Sequence, residues 1–247
     1  MLDPIDRISP TRRPTGRAAM RQRWAELGFL HWKIPAAKLA GLVPPTLTID
    51  TFDGTAWVGL VPFTMTGVRP VWSPPLPGVS RFHEINVRTY VHKDGSDPGV
   101  WFFSLDAASS LAVRAARAFW RLPYHRATMS LHRASDGAVS YASARRWPPP
   151  VPAHCRVIYR PDGPVAPAKP GTLEHFLAER YFLYTQGRTG ALLRGQVHHT
   201  PYPLQRAVAA ELDETLLAAA GITRPADPPL VHYASEVRVD VFALRKA

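Results

Sequence analysis

The chain is predicted to fold as α+β, a mainly antiparallel β barrel or sandwich with a few short helices. Three observations predict it. More than ten segments alternate apolar and polar residues or run apolar over strand length. Several of them flank hairpin-turn pairs, Asp53-Gly54, Asp94-Gly95 and Asp136-Gly137. Only one stretch, Ser109–Leu122, has a convincing helical period, and no alternation of strand and helix of the kind that builds a parallel sheet is present.

In order, residues 1–23 are rich in Arg and Pro and poor in apolar residues, which predicts a flexible basic arm before a single domain over 24–247. Glu26–Ile34 reads as a strand, and Pro35 opens a short helix over Ala36–Leu42. Leu47–Phe52 and Thr55–Met65 form a hairpin around Asp53-Gly54. The Pro-rich segment 69–80 is a loop. Strands follow at Phe82–His92 and Val100–Asp106, then the helix Ser109–Leu122, with Ser109 or Ser110 as its N-cap and Pro123 as its stop. Tyr124–Arg133 and Ala138–Arg146 form a further hairpin. His154–Tyr159, Arg180–Tyr184, Ala191–His199, Arg206–Glu211 and Val231–Leu244 complete the strands, with short helices at Thr172–Glu179 and Glu214–Ala220.

Composition restricts the function classes. The single Cys155 cannot form an internal disulfide, and no apolar run reaches bilayer-spanning length or marks a leader peptide. A cytoplasmic protein without a membrane partner is therefore expected. The net charge of +11 raises nucleic acid as a partner. Only five of the 30 basic residues are lysine, however, and the arginines are spread along the chain with no nucleic-acid-binding motif, so nucleic acid is not expected. The ten histidines have no metal-ligand spacing, and His198-His199 are adjacent rather than a turn apart, so no metal and no cofactor are expected.

Two constellations carry chemistry. Along Arg81–Val91, strand alternation places Glu84, Asn86, Arg88 and Tyr90 on one face and His83, Ile85, Val87, Thr89 and Val91 on the other. The second face should meet a core. The first is either a solvated row or the wall of a polar pocket. Glu84 and Arg88 lie roughly 13 Å apart along an extended strand, too far to neutralise each other directly. The second constellation is the helix–Pro corner at Leu122-Pro123, where Tyr124 and His125 stand side by side. Histidine is the usual proton carrier near neutral pH, whereas a tyrosine needs a neighbouring cation, Arg117 or Arg126, before it acts as a base.

The run Phe29–Pro45, and Leu105-Asp106 followed by the Ala-rich helix and Leu-Pro, resemble the acetoacetate decarboxylase-like superfamily. Asp50–Phe63, Glu84–Val91 and Trp101–Asp106 resemble its YqjF-like branch, a family of unknown function. The resemblance covers roughly residues 24–243 and implies a strand-rich fold closed around a central cavity, often in an oligomer. In the decarboxylases a lysine after the helix–Pro corner forms a Schiff base, with a second lysine beside it. Here those positions fall on Tyr124 and His125, neither of which forms an imine as lysine does, while the family's strand glutamate matches Glu84.

The resulting expectation is a cavity for a small anionic or carbonyl-bearing molecule, with lyase- or isomerase-type acid–base chemistry carried by Glu84, Tyr124 and His125. Arg88, Asn86, Arg117 and Trp57 would contact the ligand. Two alternatives stand beside it: a ligand-binding protein without catalysis, and a basic surface protein that binds nucleic acid or acidic partners. A clustered arginine face with exposed aromatics would favour the latter, and an even distribution would count against it.

Overall fold

The computed structural model of the protein describes residues 5–247. The described strands and helices are, in order, β1 (Met20–Ile34), α1 (Ala36–Ala40), β2 (Thr48–Ile49), β3 (Ala56–Pro70), β4 (Phe82–Lys93), β5 (Ser96–Ala107), α2 (Ser110–Ala115), β6 (Tyr124–Arg133), β7 (Val139–Trp147), β8 (His154–Pro161), α3 (Leu173–Ala178), β9 (Phe182–Gln186), β10 (Leu192–His199), β11 (Leu204–Glu214), α4 (Leu216–Ala219), β12 (Leu230–Val241) and β13 (Arg245–Lys246). All belong to one sheet, apart from the helices.

The sheet forks at two strands. β5 is antiparallel to β4 along its length. On its other side the first half runs parallel to β9, from Gly99 opposite Phe182 to Trp101 opposite Tyr184. Its last residues run parallel to β6, from Leu105 opposite Tyr124 to Ala107 opposite Arg126. β12 forks in the same way, meeting β11 near Ala234 and β10 near Val241 while its other edge holds β1. Two closed rings result, sharing the wall β12-β1-β3-β4-β5. One ring is completed by β9 and β10, the other by β6, β7, β8 and β11. Closure leaves the shared strands no free edge, which suits strands whose two faces are both buried.

The ring through β6–β8 is solid. Leu30, Val58, Leu60, Ile85, Val87, Val157 and Tyr159 fill it with side chains. The apolar face expected on β4 therefore meets a core: Ile85 and Val87 are fully buried. The opposite face of the same strand looks into the ring through β9 and β10, which is hollow.

Several elements differ from the sequence reading. The expected helix Ser109–Leu122 is α-helical only to Ala115 and widens into a π-helical turn over Ala116–Trp120. Ser109 caps it, accepting from the Ala112 N–H. Arg121, left-handed at φ 57°, ends it two residues before Pro123, and its carbonyl accepts from the Thr185 hydroxyl. β3 continues to Pro70 because its tail pairs with the start of β1. The start of the chain is also more tied than a loose arm. Residues 1–4 lie outside the described residues, but β1 begins at Met20, Arg7 binds the buried Asp50 at 2.7 Å, and Gln196 donates to the Pro10 carbonyl. Four of its arginines, Arg7, Arg13, Arg21 and Arg23, have acidic partners on the body of the protein, which alternation and composition cannot reveal.

Candidate functional site

The hollow ring encloses a cavity of about 190 Å³. Its wall is mostly apolar, with Leu27, Phe29, Val61, Phe63, Phe102 and Leu105 among its residues, and α2 with its π turn closes the gap at the fork. Strand alternation on β4 brings three polar side chains to this wall, Glu84, Asn86 and Arg88, and the first residue of β6 adds Tyr124. The structure thus brings together four of the seven residues singled out from the sequence.

Glu84 is buried and accepts a hydrogen bond from the Tyr124 phenol at 2.7 Å. Burial pushes its carboxyl up to about 8; the Tyr124 hydrogen bond opposes that rise and the Asp106 charge adds to it. Its backbone carbonyl accepts from the Tyr141 hydroxyl at 2.7 Å, which fixes the strand at that point. Burial, followed by the Glu84 charge, holds the Tyr124 phenol well above the usual tyrosine range. Tyr124 is therefore a donor to Glu84 and not a base.

Arg88 is 8% exposed. One guanidinium nitrogen donates to the Leu177 carbonyl at 3.1 Å, while Nε has no partner. The group lies 5.7 Å from the ring centres of both Phe29 and Tyr90. Among the described residues no carboxylate comes within 4.0 Å of it, and Glu84 does not pair with it, as the strand spacing predicted. Asn86 is buried beside it with Oδ1 unpartnered.

Tyr90, the fourth residue of that face, is buried beyond the cavity. Its hydroxyl donates to the Leu177 carbonyl at 2.8 Å and meets His31 Nε2 at 2.6 Å.

Three expected site residues lie elsewhere. His125 follows Tyr124 on a strand and so points to the opposite face; its Nδ1 meets the Pro148 carbonyl at 2.9 Å, and burial holds its imidazole below the usual range. Arg117 lies on the π turn, where it donates to the Tyr124 backbone carbonyl at 2.7 Å and covers the Trp147 ring. It supports the tyrosine's backbone and leaves its phenol alone. Arg126 binds the Ser110 hydroxyl. Trp57 packs with Tyr90, Val100, Phe176 and Leu177 in a separate buried cluster.

Arg180 was missed, and it lines the cavity too. It donates to Asp50 at 2.7 Å and to the Phe176 carbonyl at 2.7 Å, and its free Nη2 is buried. In the sequence it is one more arginine at the end of a short helix, with nothing to mark its distant partner Asp50. Tyr181 and Tyr202, also on the wall, are held through Glu179, which accepts from the Tyr181 hydroxyl at 2.7 Å and the Tyr202 N–H at 2.9 Å. No lysine lines the cavity, and no group of three or more His, Cys, Asp or Glu able to hold a metal occurs among the described residues. Among the described residues no helix is long and apolar enough to cross a membrane.

The fold and sequence have known counterparts. The protein is similar to enduracididine biosynthesis enzyme MppR, solved with pyruvate, at TM-score 0.65 and 10% identity over 94% of this chain and 91% of that one. It is similar to acetoacetate decarboxylase from Legionella pneumophila at TM-score 0.65 and 10% identity, over 94% of this chain and 88% of that one. These likenesses show an acetoacetate decarboxylase-like fold. The uncharacterised protein YqjF of Bacillus subtilis is 41% identical over 233 residues, 94% of each chain. The model of the uncharacterised conserved proteins DUF2071 matches residues 21–238. The chain belongs to the DUF2071 family of uncharacterised conserved proteins, has YqjF as a relative, and shares the acetoacetate decarboxylase-like fold.

Proposed function

We propose that the cavity binds a small organic anion or carbonyl compound, seated by Arg88, and that Glu84 is its proton carrier, oriented by Tyr124. The observation that carries this reading is the Arg88 guanidinium, buried on an apolar wall without a carboxylate partner. A desolvated cation is costly unless an anion or a full set of acceptors meets it. A ligand carboxylate would meet Nε and the remaining guanidinium nitrogen together. The unpartnered Asn86 Oδ1 offers an acceptor to a donor group on the same ligand.

Glu84 supports the chemical half of the reading. With a pKa of about 8 it carries its proton at neutral pH and lies near the range that suits general acid–base work. While it is neutral, a bound anion experiences the arginine without a competing negative charge. The reaction class that fits is proton transfer next to a carbonyl, of lyase or isomerase type. Imine formation has no part in it, because Tyr124 and His125 occupy the helix–Pro corner and no wall residue is a lysine. The same Glu84–Tyr124 pair also fits a protein that holds its ligand without turnover, since the phenol is committed to the carboxyl and only one group remains to move a proton.

A 2-oxo acid combines carboxylate and carbonyl, and MppR was solved with one. Pyruvate is therefore the first probe. In D₂O, wild type is expected to bind pyruvate and exchange its methyl protons, as read by NMR. Arg88→Ala should lose binding, and Glu84→Gln should keep binding and lose exchange. Retention without exchange in wild type selects the binding protein. Native mass spectrometry of the purified chains extends the test to other ligands: a co-purified anion equally abundant in wild type and Arg88→Ala sinks Arg88 as the seat. A covalent adduct after borohydride reduction with pyruvate would overturn the non-imine chemistry.

A further inference from the structure

Two segments border the cavity where it meets solvent. Val68, at the end of β3, and Ala112, Ala115 and Ala116, on α2 and its π turn, are half-exposed wall residues. The loop after β3 lies against the start of α2: a shallow cleft is lined jointly by Gly78 and Arg81 of the loop and by Ser109 and Ser110, next to the point where Ala108 N–H donates to the carbonyl of His83 on β4 at 3.0 Å. The two segments, 66–83 and 107–126, therefore make one continuous rim.

That rim has an unusual composition. It holds the two most exposed large apolar side chains of the described protein, Trp72 at 82% and Phe119 at 74%, together with Leu111 and Leu76. Single exposed apolar residues are ordinary, but four on one rim mark an interaction site. The same segments contain six arginines and no Asp or Glu. Arg81 and Arg114 are exposed and have no carboxylate within 4.0 Å among the described residues. Although the basic residues are scattered along the chain, the fold gathers an acid-free group of them around apolar tips.

We infer that this rim is a docking face for a lipid surface carrying acidic headgroups. Bulky apolar tips among arginines are the features that bind such a surface, the tips entering the headgroup boundary and the cations meeting the anionic charge. Such peripheral contact needs no spanning segment. A second copy of this chain fits less well, because a two-fold contact would bring an acid-free arginine face against itself. Nucleic acid would use the arginines and the aromatic rings, but leaves Leu76 and Leu111 without a role. The docking does not depend on what the cavity binds.

The test is flotation with vesicles of phosphatidylcholine, with and without roughly one-third phosphatidylserine. Wild type should float with the acidic vesicles only, and should be released near 1 M salt, where charges are screened beyond about 3 Å. Trp72→Ser/Phe119→Ser should lower the affinity at least roughly tenfold, since each tip forfeits apolar burial. Arg81→Glu/Arg114→Glu should do the same. Arg160→Glu, at an exposed arginine paired with Asp136, should not. Unchanged melting curves establish that the variants fold. The inference fails if wild type does not float, or if the Trp72/Phe119 variant floats equally. It also fails if a short DNA duplex displaces the vesicles at equal charge, or if the chain is a dimer that the Trp72/Phe119 variant dissociates.

Discussion

Glu84 sits where its neutral form is favoured, and that has a consequence for stability. The fold holds its proton up to about pH 8, whereas an ordinary carboxyl releases it near 4.5. Between those values unfolding releases a proton, so this group's contribution, full below pH 4.5, declines as pH rises by roughly 1.4 kcal/mol per pH unit and is gone above pH 8. Urea denaturation of wild type and Glu84→Gln at pH 6, 7 and 8 should give a difference that narrows or reverses in favour of the glutamine as pH rises. A constant difference would place the carboxyl in the ordinary range. Arg145 and Asp106 offer a second residue-level prediction. Nε and Nη2 of the arginine bind the two carboxylate oxygens at 2.9 and 2.7 Å, and both side chains are almost wholly buried. Arg145→Ala would leave Asp106 charged and alone, at a cost of about 3–5 kcal/mol in a denaturation midpoint measurement.

These residues also mark how far the sequence could be read. Glu84, Asn86 and Arg88 were legible as a set because period-two alternation puts them on one face; whether that face was solvated or walled a pocket was decided by the closure of the ring. The same alternation separates Tyr124 from His125, so that only one of the two enters a given pocket. Arg117 and Trp57 were named for their chemistry, but their directions depend on a π turn and a distant cluster. Arg180 was invisible because its partner Asp50 is 130 residues away.

At the scale of elements, β5 carries the fork, and Gly99 is the residue that permits it. A methyl group there would lie 2.7 Å from the Phe182 carbonyl oxygen and 2.9 Å from its Cβ. The obstacle is largely backbone, so the two strands would have to part. Gly99→Ala should cost about 1–3 kcal/mol, the range of overpacked sites, and should loosen the hollow ring first. Melting curves check the first part; faster amide hydrogen exchange in β9 than in β7 checks the second. The hairpins were legible from their Asp-Gly turns. The fork was not, because parallel pairing of β5 with both β6 and β9 joins segments whose partners no local pattern specifies. The widened end of α2 was equally hidden, since it depends on Arg121 adopting a left-handed conformation.

For the whole molecule, sharing five strands couples the two rings. Neither can open without disturbing the other's wall, so one cooperative unfolding transition is expected, with matching calorimetric and van't Hoff enthalpies. Hydrogen exchange should be slowest in β1, β3 and β4 and faster in β9 and β10, which face the cavity. Two separate transitions would show that the rings are independent units. The class, mainly antiparallel and strand-rich around a cavity, was readable; the presence of a second, filled ring was not, since composition counts strands without saying how they close.

β4 separates the two interiors, and its alternate positions answer to different demands. Ile85 and Val87 must fill a solid core, while Glu84, Asn86 and Arg88 face open space. A lineage can therefore exchange the second set to change what it recognises without eroding the first. Divergence among relatives should accumulate at positions 86 and 88 of this strand, and a library that varies only those two residues should yield mostly folded proteins with new ligands.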